Sequence, residues 1–264
     1  MKRFLTALTL AALATTAPAF AATSLSDLVD RPTVTDAALT LAPNTVLVEA
    51  GYDNLSYKGI GSVATYPQIS AKIGTEFKNL ELDVVAPSEQ RKSVSGSTVT
   101  GGTNIAAGLK YLILHAKRYA VSGELGVQIP TGTIGFPGVY TKTQTSVAVD
   151  ANYKINKTFT VKTTQRFTAQ SIPGDRYGSY TPSYALSAAL PYKTNVFAEY
   201  ASFGRFTGPA TKSARFFQVG ANHELSSNLI IDVEAGRYAS YTDTGSGYSL
   251  PKGTQIGFGA AYKL

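Results

Sequence analysis

From residue 45 onward, apolar and polar residues alternate along segments of about ten residues, and turn residues separate the segments. In "TSVAVDANYKI" Val147, Val149, Ala151 and Tyr153 fall on one side, with Ser146, Ala148, Asp150, Asn152 and Lys154 on the other. In "NLELDVVA" Leu80, Leu82, Val84 and Ala86 oppose Glu81 and Asp83, and in "LIIDVEAGRY" Leu229, Ile231, Val233 and Ala235 oppose Asp232 and Glu234. Side chains alternate across a strand, so each segment carries one apolar and one polar face. The helical period of i, i+3, i+4 is missing here. The pattern predicts twelve strands: 45–53, 63–74, 79–86, 103–114, 119–129, 143–155, 158–168, 179–190, 194–203, 215–224, 229–238 and 254–264.

The links between them alternate in length. "TEFK", "HAKR", "NK", "PYK" and "LSSN" are short, whereas residues 87–102, 130–142, 169–178 and 239–253 make long ones. Short turns at one end, long loops at the other and an even strand number are the plan of an outer-membrane β-barrel. The reading is all-β: an antiparallel transmembrane barrel of about twelve strands over residues 44–264, with short periplasmic turns and long extracellular loops. A soluble exported sandwich or lipocalin-like barrel also alternates, but its polar faces are rich in Lys, Glu and Asp. Here Ser, Thr, Asn, Gln, Gly and Ala dominate them. Aromatic residues such as Tyr52, Tyr66, Tyr111, Tyr119, Tyr153 and Tyr262 sit near segment ends, where membrane interfaces collect such rings.

Composition sharpens this picture. Hydrophobic residues make up 44% of the chain, yet no segment after the leader approaches 18 consecutive apolar residues, which excludes a helical membrane protein. The first 21 residues read as a cleaved signal peptide: Met1-Lys2-Arg3 is basic, an apolar run follows, and Ala19-Phe20-Ala21 is a small-residue cleavage pattern. Without Lys2 and Arg3, 22 basic residues stand against 17 acidic ones, spread along the chain with no basic run, so nucleic acid is not the expected partner. There is no cysteine, hence no acyl anchor, disulfide or thiolate metal site. No phosphate-binding loop or metal-ligand spacing is present, and no cofactor is expected.

If the apolar faces meet lipid, the polar faces line the lumen. That places Glu49, Lys72, Glu81, Asp83, Lys110 and Glu124 inside, together with Asp150, Lys162, Arg166, Glu199, Asp232 and Glu234. Lys72 falls beside Glu81 and Asp83, and Asp150 beside Lys162 and Arg166. Such charges can filter solutes at a constriction or pair up and plug a narrow barrel. Eight strands are filled by side chains and sixteen leave a channel, so twelve admits both readings. His223, with Glu224, Ser226 and Ser227, could be imagined as a lipid hydrolase, but "HELSSN" reads as a hairpin turn. Residues 22–43 precede the barrel: Ser24 and Asp27 signal one capped helical turn, ended by Pro32. This segment either tucks into the periplasmic mouth and gates it or hangs as a leader.

"DRPTVTD" (residues 30–36) resembles the opening motif of the MetA-pathway of phenol degradation family of outer-membrane barrel proteins. "LVEAGY", "GLKYLI", "VQIPTGT", "VFAEYASF" and "QVGANHELSSNLIIDVEAGR" are similar to its later landmarks. The resemblance implies an outer-membrane transporter with an aromatic-compound context and transfers no catalytic or ligand residue. The final "TQIGFGAAYKL" resembles the C-terminal insertion signal of outer-membrane proteins, with Leu264 in place of a terminal aromatic. The expected partners are outer-membrane lipids and lipopolysaccharide, the barrel-assembly machinery during insertion, and a small solute that diffuses passively. Oligomeric state is left open.

Overall fold

The computed structural model describes residues 24–31, 33–136, 139, 141–172, 175–205, 214–239, 241–242, 249–250 and 252–264; the expected signal peptide (residues 1–21) and Pro32 lie outside the described residues. Twelve antiparallel strands close a barrel: β1 (Val46–Tyr57), β2 (Gly61–Gly74), β3 (Leu80–Val85), β6 (Ile105–His115), β7 (Tyr119–Ile129), β8 (Gln144–Lys154), β9 (Phe159–Ile172), β10 (Asp175–Leu190), β11 (Thr194–Arg205), β12 (Ala214–Glu224), β13 (Leu229–Tyr238) and β16 (Gly253–Lys263). Closure is made by β1, which pairs with both β2 and β16, from Leu47 opposite Lys263 up to Tyr57 opposite Gly253. No edge is left in the ring, which satisfies every strand's backbone inside lipid. At the short-turn end the Leu264 N–H donates to Val46 O at 2.8 Å.

The outer face is apolar. Leu125, Val147, Phe217, Val233, Ile256 and Phe258 all stand exposed there, while Ala148, Asp150, Phe216 and Ala261 on the alternate positions are buried. An apolar band this continuous has no place in water and fits a lipid-facing surface. Val149 lies near the middle of β8 on that face. A Val149→Arg substitution should therefore cost about 2–4 kcal/mol, read as a lowered urea midpoint for refolding into vesicles.

The barrel reaches further outward than the hydrophobic pattern implies. A spanning strand needs about 9–11 residues, yet β10 has 16 and β2 and β9 have 14 each. The link 169–178, expected as a loop, is largely paired strand, with Asp175 opposite Ile172 and Gly178 opposite Ala169. Likewise the expected loop 87–102 is a hairpin, β4 (Glu89–Val94) and β5 (Ser97–Gly102), and β4 pairs with the upper half of β2. Ser95 and Gly96 form its two-residue turn, with φ of 49° and 82°, the mirror-image geometry that two-residue hairpins favour. Outside the membrane neither face meets lipid, so these strands need no apolar side. A further short pair, β14 (Tyr241–Thr242) and β15 (Ser249–Leu250), lies in the link before β16.

Candidate functional site

The lumen is occupied by the chain's own N-terminal segment. It enters at the short-turn end, where the Ser26 N–H donates to Glu224 Oε1 at 3.1 Å and Asp27 pairs with Lys154 at 3.1 Å. One 3-10 turn, Leu25–Asp27, forms as the sequence suggests, but Ser24 does not cap it; its hydroxyl bonds Ser26 instead. The segment rises to Arg31, turns through residues 33–36, and descends to β1 past Asn44, whose N–H donates to Gly74 O at 2.9 Å.

Two kinds of contact seat it. Near the short-turn mouth, Leu25, Leu28, Val29, Leu39 and Leu41 pack against inward-facing Leu47, Leu112, Ala120, Ile230 and Ala261. Each buried Leu or Val contributes roughly 1.5–3 kcal/mol. These inward apolar positions break the lumen's polar pattern, and a signal for them exists: Ile230 interrupts the alternation of "LIID", and Leu112 precedes a bulge at which Ile113 and Leu114 both turn outward. Carboxylates on the wall, from Glu81 near the mouth to Glu49 and Glu199 further in, accept the segment's backbone N–H groups. Glu49 takes those of Asp30 (3.1 Å) and Arg31 (2.9 Å), Glu81 that of Leu41 (2.7 Å), and Glu199 those of Val34 (2.9 Å) and Thr35 (2.6 Å). Charge-assisted bonds of this kind are the stronger class.

The wall lysines complete the seat. Asp30 sits between Lys72 (2.6 Å) and Lys110 (3.7 Å), and its other oxygen accepts the Ala37 N–H at 2.7 Å. Lys72 also donates to Leu28 O, and Lys110 to Ala37 O. Burial opposes the charge on Asp30, but Lys110 and Lys72 prevail and hold its carboxyl well below the usual carboxylate range. Arg31 lies flat over Gly51 and Gly259, which face each other across β1 and β16; a Cβ at Gly51 would sit 2.1 Å from the guanidinium carbon. From there Arg31 reaches Gln68, and it lies 3.8 Å from Asp53 and 3.7 Å from Asp232.

The twelve candidate lumen residues all occupy inward positions, and most are buried. Their expected partners differ from the real ones. Lys72 stands opposite Asp83 in register, yet its ion pairs go to Asp30 and Glu49. Asp150 bonds Thr164 and Ser122, not Lys162 or Arg166. Arg166 pairs with Asp36 and, at 3.1 Å, with Glu124. The segment captured charges that neighbouring strands would otherwise have matched. Asp36, Glu124 and Asp150 bring oxygens within 4.8 Å of one another, as a cation would require, but the Arg166 guanidinium binds two of the three. Glu234 lies near Asp53 and accepts from Gln255 at 3.1 Å.

Around His223 the geometry is that of a turn. Its Nδ1 lies 2.9 Å from the Thr194 hydroxyl, the Ser226 hydroxyl accepts the N–H groups of Asn228 and Leu229, and Glu224 is bonded to Ser26.

Two cavities open in the lumen, the first of them against the segment. One, of about 370 Å³, lies on the short-turn side and is lined by Val29, Arg31, Lys154, Lys157, Lys162 and Phe197 among others. The second, about 290 Å³, lies between β3, β6, β7, β8 and β9, with Asp83, Glu124, Gly126, Gln144 and Arg166 on its wall.

No family model matches the chain, and no curated protein does either. Solved structures do. The chain is similar to an outer membrane channel from Pseudomonas putida F1 at a TM-score of 0.63 and 10% identity, covering 86% of this chain and 98% of that one. It is similar to the NanC porin at a TM-score of 0.55 and 11% identity, covering 83% and 100%. The KdgM porin, solved with disordered oligogalacturonate, matches at 0.50 and 12%, covering 81% and 98%. At these identities the likeness is one of fold, and the fold is that of outer-membrane β-barrels of the channel and porin type.

Proposed function

We propose that this chain is a passive outer-membrane channel for small solutes, closed at rest by its own N-terminal segment. The observation that carries the reading is how the segment is held. Beside its apolar base it hangs on hydrogen bonds and ion pairs to Glu49, Glu81, Glu199, Lys72 and Lys110, contacts that water can replace, and a cavity lies against it. The wall charges then act as a filter once the segment shifts. The similarity in fold to channels and porins supports transport, and the resemblance to the MetA-pathway of phenol degradation family favours aromatic or hydrophobic solutes. Export through a cleaved signal peptide, a Gram-negative-type outer membrane, lipopolysaccharide at the outer rim and the barrel-assembly machinery at insertion belong to the same reading.

A closed structural barrel is the second reading, favoured by the apolar packing of Leu28, Leu39 and Leu41 against Leu47 and Ile230. Liposome swelling separates the two. Vesicles carrying the full chain should admit small neutral and aromatic solutes faster than empty vesicles; equal rates would leave the structural reading standing.

A further inference from the structure

Among the described residues, three lysines are buried in the lumen wall: Lys72, Lys110 and Lys162. The first two are matched by Asp30 and Glu49 or by backbone carbonyls. Lys162, on β9 between Asn152 of β8 and Ala185 of β10, has no ion pair or hydrogen bond among the described residues, although it is only 9% exposed. Its ammonium opens into a cavity instead of meeting a protein acceptor, so water or a ligand in that cavity must complete it. Lys162 lines the 370 Å³ cavity on the short-turn side, a volume equal to roughly a dozen waters.

The remaining wall of that cavity fits one kind of guest. Four cationic side chains line it, Arg31, Lys154, Lys157 and Lys162, against a single carboxylate, Asp27, which is already bridged to Lys154. Arg31 is committed to Asp53 and Asp232. Lys162, deep in the cavity, and Lys157, at its exposed mouth, therefore carry the local positive excess, and Asn195, Asn222 and Thr160 add neutral hydrogen-bonding groups. Val29, Ala185 and the buried Phe197 ring form an apolar side. The cavity reaches the mouth at the exposed turn residues Asn156, Lys157 and Thr158, so a ligand enters without displacing the segment.

We infer that this cavity is a binding site for a small organic carboxylate with an apolar body, its anionic head paired with Lys162 and its body against Phe197 and Val29. The inference gives the channel proposed above a solute class and rests on that reading for its role in transport; binding and flux are therefore measured separately.

The test uses the full chain in nanodiscs, titrated calorimetrically with benzoate, benzyl alcohol and inorganic phosphate. Benzoate should bind saturably at one site per chain, more tightly than either comparison compound. Lys162→Gln should weaken it by about tenfold or more, and Lys162→Arg should restore most of the affinity, which guards against misfolding of the Gln variant. Benzyl alcohol binding as well as benzoate, or Lys162→Gln leaving the affinity unchanged, would overturn the inference. Phosphate binding as tightly as benzoate would overturn the role of the apolar wall. Absent benzoate binding alongside normal liposome flux sinks this site alone, whereas saturable binding without flux sustains the site and sinks the channel reading.

Discussion

Deletion of residues 24–41 should turn a channel with small, intermittent conductance into one that is open continuously and conducts several-fold more in planar bilayers. The wall does not depend on the segment: β1 and β16 pair along their whole length, and all twelve strands keep both neighbours. What the deletion removes is the matter inside. Glu49, Glu81, Glu199, Lys72 and Lys110 lose their partners, but the emptied lumen fills with water, and a hydrated charge needs no partner. The real cost falls at the short-turn mouth, where Leu47, Leu112 and Ile230 lose the packing of Leu25, Leu28, Leu39 and Leu41. At roughly 1.5–3 kcal/mol per side chain, the variant should unfold more readily, so heat-modifiable gel migration must first show that it is folded. A folded deletion variant with the conductance of the full chain would refute the plug.

The strands were legible in the sequence because lipid and lumen impose opposite solvents on the two faces of one strand. β7 (Tyr119–Ile129) and β13 (Leu229–Tyr238) begin and end where the alternation does. The outer hairpin β4–β5 was not, because neither face of "EQRKSV" and "STVTGG" meets lipid and no apolar period survives; only the Ser95–Gly96 turn marks it. The seated segment was illegible for a different reason. Its main contacts run from backbone N–H groups to carboxylates as far away as Glu199, 164 positions from Thr35. A backbone amide is the same in every residue, so nothing in "DRPTVTD" announces which acid will receive it. The acids themselves stood out, but their evident partners were lysines on the next strand, and that competition was won by Asp30 and Asp36 from outside the sheet.

Glu199 is the single side chain on which the segment's mid-barrel turn depends most. It accepts the Val34 N–H, the Thr35 N–H and the Thr35 hydroxyl, and Gln218 holds it in place. Thr35 is fully buried; in a Glu199→Ala variant its hydroxyl still has Ser183 Oγ at 2.9 Å, but the N–H groups of Val34 and Thr35 lose their acceptor. Each orphaned buried donor costs about 1–3 kcal/mol, and even about 3 kcal/mol in all moves the seated-to-unseated ratio roughly 100-fold. The barrel itself pays little of this, because the donors lost belong to the segment and β11 keeps its ladder to β10 and β12. The expected result is a large rise in opening frequency in single-channel records, with faster hydrogen exchange at the amides of Val34 and Thr35. Glu199→Gln keeps one acceptor oxygen and should fall between the two. Glu89→Gln, on the exposed outer hairpin, should leave both readouts unchanged. Opening frequency and amide exchange that match the parent chain in Glu199→Ala would mean that the segment is held by its apolar base alone.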